Sequence, residues 1–584
     1  MPTSEFRFSP RDNRAHEIAW MSWGEDAFAR AAAEEKPILL SISAVWCHWC
    51  HVMDETSYSD PQVIAAINER FVAIRVDNDR RPDVNARYNM GGWPTTAFLT
   101  PDGRTLTGAT YLPPQQMHRA LDEVARFYAE RKDEVTAVPG LHERATPVTE
   151  RELDDTPILR LREQLESTYD DVYGGFGFEP KFPQTDSLEF LLAQWRRTGD
   201  QRLYAMVAQT LEGMSRGGMY DHVEGGFFRY STTRDWSVPH FEKMAEDHAG
   251  LLRLLALLML YAPVDEFRTT LVSAANYVRT LLYDAQTGFF AGSQDADEAY
   301  YALPLEERRK LPTPFVDRTS YTNWTCALAG ALCWVALALD DDDLLRDCRA
   351  TLDNVEARLV GGDGLLFHVL APGAAPEVRG LLADHAAYLR ALLDAHEIAG
   401  DPRFLERAQR VAATTMQRFA APGGGFYDRL PEDSALGRLA LADRPIGDNG
   451  LMADALLRLH ALTATESYRE HARRTLSFFA ETAANAGSFA ATYARALSRY
   501  LSPELLVRVV GEVALTGDFR EAALRLPPAF LSVRTLTPAQ AAVDGLTATP
   551  PAAYVCAGTT CGAPVFTAAD LRGAYELLPV PAAP

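Results

Sequence analysis

Val45-Trp46-Cys47-His48-Trp49-Cys50-His51 sets two cysteines two residues apart, directly behind the apolar run Pro37-Ile38-Leu39-Leu40-Ser41-Ile42-Ser43. The run reads as a buried strand, and Val52-Met53-Asp54-Glu55 continues the cysteine stretch as a helix. A helix that starts where a strand ends has unsatisfied backbone N–H groups at its first turn, and their dipoles stabilise a thiolate there. Cys47 is therefore expected to be a nucleophile of lowered pKa, and Cys50, one turn on, the thiol that resolves a mixed disulfide. Other readings share these residues. Cys-x-x-Cys-His also attaches c-type haem, which needs export and an axial ligand. Cys47, His48, Cys50 and His51 would suit zinc if further ligands met them in space. Two inert buried cysteines fit poorly beside a tryptophan and two imidazoles.

The flanking sequence favours redox chemistry. Asp60-Pro61 reads as an N-cap with proline at the first helical position, and Phe71 to Val76 as a strand. Gly91-Gly92-Trp93-Pro94-Thr95 puts a proline, able to hold a cis bond, just before the next strand. Asp102-Gly103 turns that strand into Thr105 to Thr110, and a helix follows from about Pro114 to Arg131. This order is that of a thioredoxin fold, and Trp46-Cys47-x-x-Cys50 with Trp93-Pro94-Thr95 resembles thioredoxin. The longer string Cys47-His48-Trp49-Cys50-His51-Val52-Met53, with Arg81-Pro82-Asp83-Val84 and Gly91-Gly92-Trp93-Pro94, resembles the spermatogenesis-associated protein 20-like family of thioredoxin-domain proteins. Two departures stand out. Ser41 replaces the buried aspartate that many thioredoxins carry beneath the cysteines, and the segment between Tyr88 and Gly91 is short for that family.

Composition narrows the function classes. A chain of 584 residues with 47% hydrophobic and 23% charged residues is expected to form two or three globular domains. A net charge of −22 argues against a nucleic-acid partner, which needs a basic face. No uninterrupted apolar stretch reaches the roughly 18 residues of a membrane span, and Met1 to Arg14 lack an apolar signal core. Seven cysteines, an odd number, do not make a disulfide framework. The expectation is a cytoplasmic protein with no membrane partner, no metal and no cofactor.

From about Pro157 to Leu501 the pattern changes to about twelve amphipathic helices, one of them expected over 240–262. They carry an internal repeat. Gly199-Asp200 and Gly400-Asp401 open corresponding helices, and Gly174-Gly175-Phe176, Gly225-Gly226-Phe227, Gly288-Phe289-Phe290 and Gly424-Gly425-Phe426-Tyr427 recur as loops. Six helix pairs joined this way predict an all-α (α/α)6 toroid, with an open solenoid as the competing architecture. The expected domains are a thioredoxin-like domain over 1–137, joined through a linker between Val138 and Thr156, the barrel over 150–501, and a small C-terminal α/β domain over 502–584. Cys556 and Cys561, five apart, are an open question as a disulfide.

A second constellation lies in the barrel. Asp221, His222, Arg229, His240, Glu242, Lys243 and Asp247 sit among aromatics and glycines and are expected to converge on one pocket, together with Asp295 and Asp297. Pro239 is expected at a helix start, orienting His240 to Asp247. The competing reading makes Glu242, Lys243 or Asp247 buried structural ion pairs. The family resemblance extends here through Tyr220-Asp221-His222, Gly225-Gly226-Phe227 and Pro239-His240-Phe241-Glu242-Lys243-Met244, and implies a barrel similar to six-hairpin glycosidases and N-acylglucosamine 2-epimerases. Three functions are expected to compete. The first is thiol–disulfide oxidoreduction on a protein partner, with Trp46, His48, Trp49, Trp93 and Pro94 forming the substrate groove. The second is a sugar hydrolase or epimerase with a sugar-like ligand in the barrel. The third is a non-enzymatic redox-sensing interaction protein.

Overall fold

A computed structural model describes residues 6–137, 152–430, 435–547 and 549–578. The linker expected between Val138 and Thr156 falls largely outside these residues. The chain divides into two compact units: Met1–Thr146 with Gln294–Ala296 and Arg429–Asp443, and the remainder.

The first unit runs α1 (Glu25–Ala33), β1 (Ile38–Ser43), α2 (His48–Glu55), α3 (Pro61–Arg70), β2 (Val72–Asp77), α4 (Pro82–Tyr88), β3 (Thr95–Leu99), β4 (Thr105–Ala109) and α5 (Pro114–Ala137). Its sheet has the order β2-β1-β3-β4. β1 lies parallel to β2 and antiparallel to β3, and β3 is antiparallel to β4. Every residue of β1 is buried, because both faces are covered, which is why the strand reads as a near-continuous apolar run. Leu39 joins a core with Met53, Phe71 and Phe98 on one face. Ile38, Leu40 and Ile42 meet Trp23, Phe28 and Val72 on the other. As expected, Asp60 caps α3, its side chain accepting from the N–H groups of Gln62 and Val63. The unit is not closed by residues 1–137 alone. Leu439 is buried in the core with Trp23 and Tyr88, and the Tyr88 hydroxyl donates to Gly103 O while accepting from Arg438 N.

In the second unit, twelve helices among the described residues form six hairpins. The pairs are α6 (Thr156–Thr168) with α7 (Thr185–Thr198) and α8 (Gln201–Arg216) with α9 (Ala245–Tyr261). Next, α10 (Asp265–Tyr277) leads through the one-turn helices α11 (Glu298–Tyr301) and α12 (Leu305–Arg308) to α13 (Thr322–Leu339). Then come α14 (Asp342–Arg358) with α15 (Leu382–Ala399), α16 (Pro402–Arg418) with α17 (Ile446–Thr463), and α18 (Glu466–Ala483) with α19 (Ala491–Leu501). The second helix of each pair is internal. Contacts run α7–α9–α13–α15–α17–α19 and back to α7, so the ring closes. The open solenoid is excluded by that last contact. Inner helices are buried on most sides, whereas outer helices such as α8 and α16 bury one stripe, the distinction that separates a core helix from a surface one. α13 has the length and apolar composition of a membrane span, and here it is the inner helix between α9 and α15.

The repeat has a shared fastening. Each tight glycine loop closes a short antiparallel bridge, as at Tyr220↔Phe227, Val360↔Leu366 and Ala420↔Phe426. The fourth residue of the next inner helix then binds the loop. His248 Nε2 accepts from Phe227 N (2.9 Å), His385 Nε2 from Leu366 N (3.3 Å), and Asn449 Oδ1 from Phe426 N (2.6 Å). The other polar atom of each side chain bonds a carbonyl just before its own helix: Met244, Leu381 and Pro445. Gly226 has φ +82°, and a Cβ there would lie 2.6 Å from the Tyr277 ring and 2.9 Å from His248 Nε2.

One helix expectation is corrected. The helix expected over 240–262 begins at Ala245, because Pro239-His240 pairs as a strand with Tyr230-Ser231 and Lys243-Met244 is also extended. Pro239 therefore does not start a helix, and His240 to Met244 lie ahead of α9.

The C-terminal layer is a four-stranded sheet in which Leu505–Val510 runs parallel to Leu531–Leu536 and antiparallel to Ala552–Ala557, which pairs with Thr560–Cys561. Strand order and senses repeat those of the N-terminal sheet, with the helix Gly517–Leu524 as the crossover. The register sets Cys556 opposite Cys561, and the two form a disulfide with Cα atoms 4.0 Å apart. This layer packs on the ring through the strand Leu531–Leu536 against α15 and α17, and Arg520 Nε donates to Ile398 O (3.2 Å).

Candidate functional sites: a CxxC disulfide and a barrel interior

The first site sits at the end of β1. Cys47 is the N-cap of α2, its Sγ accepting from Cys50 N at 3.2 Å, and it is joined to Cys50 in a disulfide. Both cysteines are buried. The pairing Ile42↔Thr95 brings the start of β3, and with it the cis Trp93–Pro94 bond, beside the end of β1. Trp46 is buried, packs edge-on against Trp93 (5.8 Å between centroids) and donates its indole N–H to Asp79 at 2.7 Å. Behind the disulfide, α2 is tied to β2 by a buried pair in which Arg75 donates to both oxygens of Asp54 (2.8 and 3.0 Å). That anchor fixes the helix whose N-terminus presents the sulfurs. His51 is half-buried, and burial lowers its pKa. Trp49 turns outward with 48% of its surface exposed and leans on Tyr111.

The second site is the axis of the ring. A cavity of about 250 Å³ is lined from all six inner helices, by Asp186, Glu246, Trp324, Ala387, Asp448 and Thr492 among others. Asp186, Glu246, Asp247, Asp384 and Asp448 all occupy first turns, where helix dipoles favour negative charge. So many carboxyls in one deep space repel. Burial, with the charges of Asp428, Asp384, Asp186 and Glu246, pushes Asp448 up to about 7. Burial and Glu246 push Asp247 up to about 8. Asp247 and Asp448 are half-buried, and Glu246 is exposed. Deeper along the axis Glu189 behaves oppositely: burial works against its charge, but Arg390 and Arg495 hold it down at about 2.

The family model Thioredox_DsbH, described as "Protein of unknown function, DUF255", matches residues 9–142. Over 95% of this chain and 89% of the relative, the sequence is 26% identical to spermatogenesis-associated protein 20 of Homo sapiens. Along nearly its whole length the chain is thus similar to spermatogenesis-associated protein 20. The thiol:disulfide interchange protein DsbD of Pseudomonas fluorescens is 32% identical over 82 residues, 14% of each chain. Among solved structures, cellobiose 2-epimerase from Spirochaeta thermophila superposes with a TM-score of 0.47 at 16% identity, covering 59% of this chain and 96% of that one.

The residues singled out in the barrel do not form one pocket. Asp221 and Lys243 are buried and paired at 2.8 Å, with Arg308 also on Asp221 at 2.8 Å and Lys243 donating to Gly225 O. The same device recurs one hairpin earlier, where buried Lys181 donates to Asp170 and to Gly174 O, each at 2.7 Å. Asp221–Lys243 is thus a repeated loop fastening, which corrects its reading as part of a ligand pocket. His222 is exposed, its ring 3.0 Å from Gly217 O. His240 and Glu242 pair at 2.6 Å. Arg229 and Glu242 act electrostatically on Asp247, which also feels Glu246. Asp297 caps α11, accepting from Tyr300 N, and Asp295 lies in the segment that clusters with the first unit. Of the nine, Asp247 with Arg229 and Glu242 adjoins the cavity carboxylates. Sequence reasoning passed over Asp186, Arg253, Trp324 and Arg390. Their common signal is position: Asp186 and Trp324 fall in the first turn of an inner helix, while Arg253 and Arg390 lie near the middle of theirs.

Proposed function

We propose that the N-terminal unit is a thiol–disulfide oxidoreductase acting on a protein partner. The observation that carries this reading is the Cys47–Cys50 disulfide at the N-terminus of α2, with Cys47 as the cap. In the reduced form the Cys47 thiolate attacks one sulfur of a partner disulfide, forming a mixed disulfide and releasing the other partner sulfur as a thiolate that takes a proton. Cys50, deprotonated, then attacks the Cys47 sulfur and expels the second partner thiolate. Two electrons pass to the partner, and Cys47–Cys50 is left oxidised. A dithiol reductant returns the enzyme to its starting state. The first-turn N–H groups of α2 stabilise the attacking thiolate, and Trp49, His48 and Trp93 are the surface that receives the partner, while Trp46 and Pro94 are buried. The short likeness to a protein named for thiol:disulfide interchange points the same way. The test is disulfide reduction by the full chain with a dithiol reductant. Cys47→Ser is expected to abolish turnover, and Cys50→Ser to accumulate a mixed disulfide visible by mass spectrometry. Turnover that survives Cys47→Ser would remove the assignment.

A second reading belongs to the ring: a polar, sugar-sized ligand in the central cavity. It is supported by the cavity's volume, by Trp324 as a stacking face, and by carboxyls on its wall. A carboxyl titrating near neutrality, as Asp448 does, is suited to general acid or base work. Calorimetric titration of monosaccharides into wild type and Asp448→Ala checks it, with at least tenfold weaker binding expected in the variant. Equal affinity would count against the site.

A further inference from the structure

Towards the C-terminal ends of the inner helices, a smaller cavity of about 90 Å³ is closed by Leu524 to Leu531 of the C-terminal layer. Arg196, Arg253, Arg390, Arg458, Arg495 and Arg499 all line it. Their acidic partners are fewer. Arg390 and Arg495 share Glu189, Arg253 and Arg458 share Asp394, Arg458 also meets Glu397, and Arg495 and Arg499 meet Asp454. Six guanidinium groups therefore face four carboxylates, leaving two positive charges in excess. Arg196 has no carboxylate partner among the described residues: it lies 3.4 Å above the Tyr261 ring and donates to Leu526 O. A second observation is independent of charge. Trp334 lines the same cavity with 8% of its surface exposed, and its indole N–H is buried without an acceptor among the described residues.

Converging helix C-termini account for only part of this. Each contributes about half a negative charge, felt within its last turn, whereas Arg253 and Arg390 lie two turns or more from the ends of α9 and α15. A bound water would satisfy the indole but not the charge, and buried unpaired cations are costly. One anion answers both needs. The cavity is several times the space a single water needs, and guanidinium forks match planar or tetrahedral oxyanions through paired hydrogen bonds.

We propose that this cavity is a binding site for a small oxyanion of the phosphate or carboxylate type, enclosed by the C-terminal layer. The inference depends on neither the thiol chemistry nor the sugar reading. The test uses the full chain and two probes, inorganic phosphate and acetate, each compared with chloride at equal ionic strength by calorimetry and thermal unfolding. Saturable binding of at least one probe is expected, with a Tm that climbs as its concentration rises. Arg196→Gln is expected to weaken that binding at least tenfold. Trp334→Phe, which keeps an aromatic ring and removes the donor, is expected to weaken it several-fold. The proposal is overturned if neither probe does more than chloride, or if the variants bind as wild type does. Should Arg196→Gln not fold, unchanged affinity in Trp334→Phe alone overturns it.

Discussion

At the scale of single residues, position in the chain decides what a carboxyl does. Asp54 and Asp448 are the same side chain in two burials. Asp54 meets Arg75 in a bidentate pair, while Asp448 faces other carboxyls and is pushed up to about 7. The consequence for stability has a definite sign. The unfolded chain loses the Asp448 proton near 3.8 and the folded chain near 7, so between these values the folded state holds the extra proton. The contribution is fully present below about pH 4 and is lost as pH rises through about 7. The full shift is worth about 4 kcal/mol, and solvent screening of the half-buried group reduces it to about 1–2 kcal/mol. Asp448→Asn is therefore expected to raise Tm by a few degrees at pH 8–9 and hardly at all at pH 4. Thermal unfolding across that range checks it, and parallel pH profiles for variant and wild type would rule the repulsion out. The redox residues were legible at this scale because Cys-x-x-Cys behind an apolar strand depends on local geometry alone. Asp221 and Lys243 misled because a buried ion pair and a ligand pocket ask for the same residue types in the same spacing.

At the scale of elements, the glycine loops and inner helices are one repeated joint. His248, His385 and Asn449 occupy the same helical position and accept from the same loop N–H. Burial holds His248 down at about 4, so its ring is neutral and able to accept. Asn449→Ala is expected to cost about 1–3 kcal/mol, because it leaves the Phe426 N–H buried without a partner. Asn449→His, able to restore the acceptor, is expected to recover part of it. Urea denaturation of the two variants measures the difference, and an unchanged midpoint in the alanine variant would remove the joint from the account. All twelve ring helices were readable from periodicity and capping, since long apolar periodic segments declare themselves. The start of α9 was not. His240 to Met244 carries a helical pattern, but pairing of Tyr230 with His240 captures the backbone, and such a partner lies outside any local window.

At the scale of the whole molecule, each unit is completed by residues distant in sequence. Leu439 fills the core beside Trp23 and Tyr88 in the first unit. In the second, Arg499 lies over Phe530, His460 pairs with Glu504, and Arg520 reaches the carbonyl that ends α15. Ending the chain at Leu501 would uncover the arginine-lined floor of the ring and its apolar rim. The truncated protein is expected to lose at least 10 °C in Tm or to self-associate, as read by thermal unfolding and size-exclusion chromatography. An unchanged, monomeric product would show that the layer contributes no stability.

By itself the sequence determined what short-range chemistry controls: the strand–CxxC–helix order, the helix count, the glycine loops and the six-hairpin repeat, whose closure into a ring rests on the contact of α19 with α7. Only the tertiary structure decided which charges are fastenings and which line a cavity. A carboxylate's role depends on the side chains that face it across the ring, and those can come from helices 306 residues away, as with Glu189 and Arg495 at 3.0 Å. Spacing along one helix fixes which face a side chain occupies. It cannot fix what stands opposite.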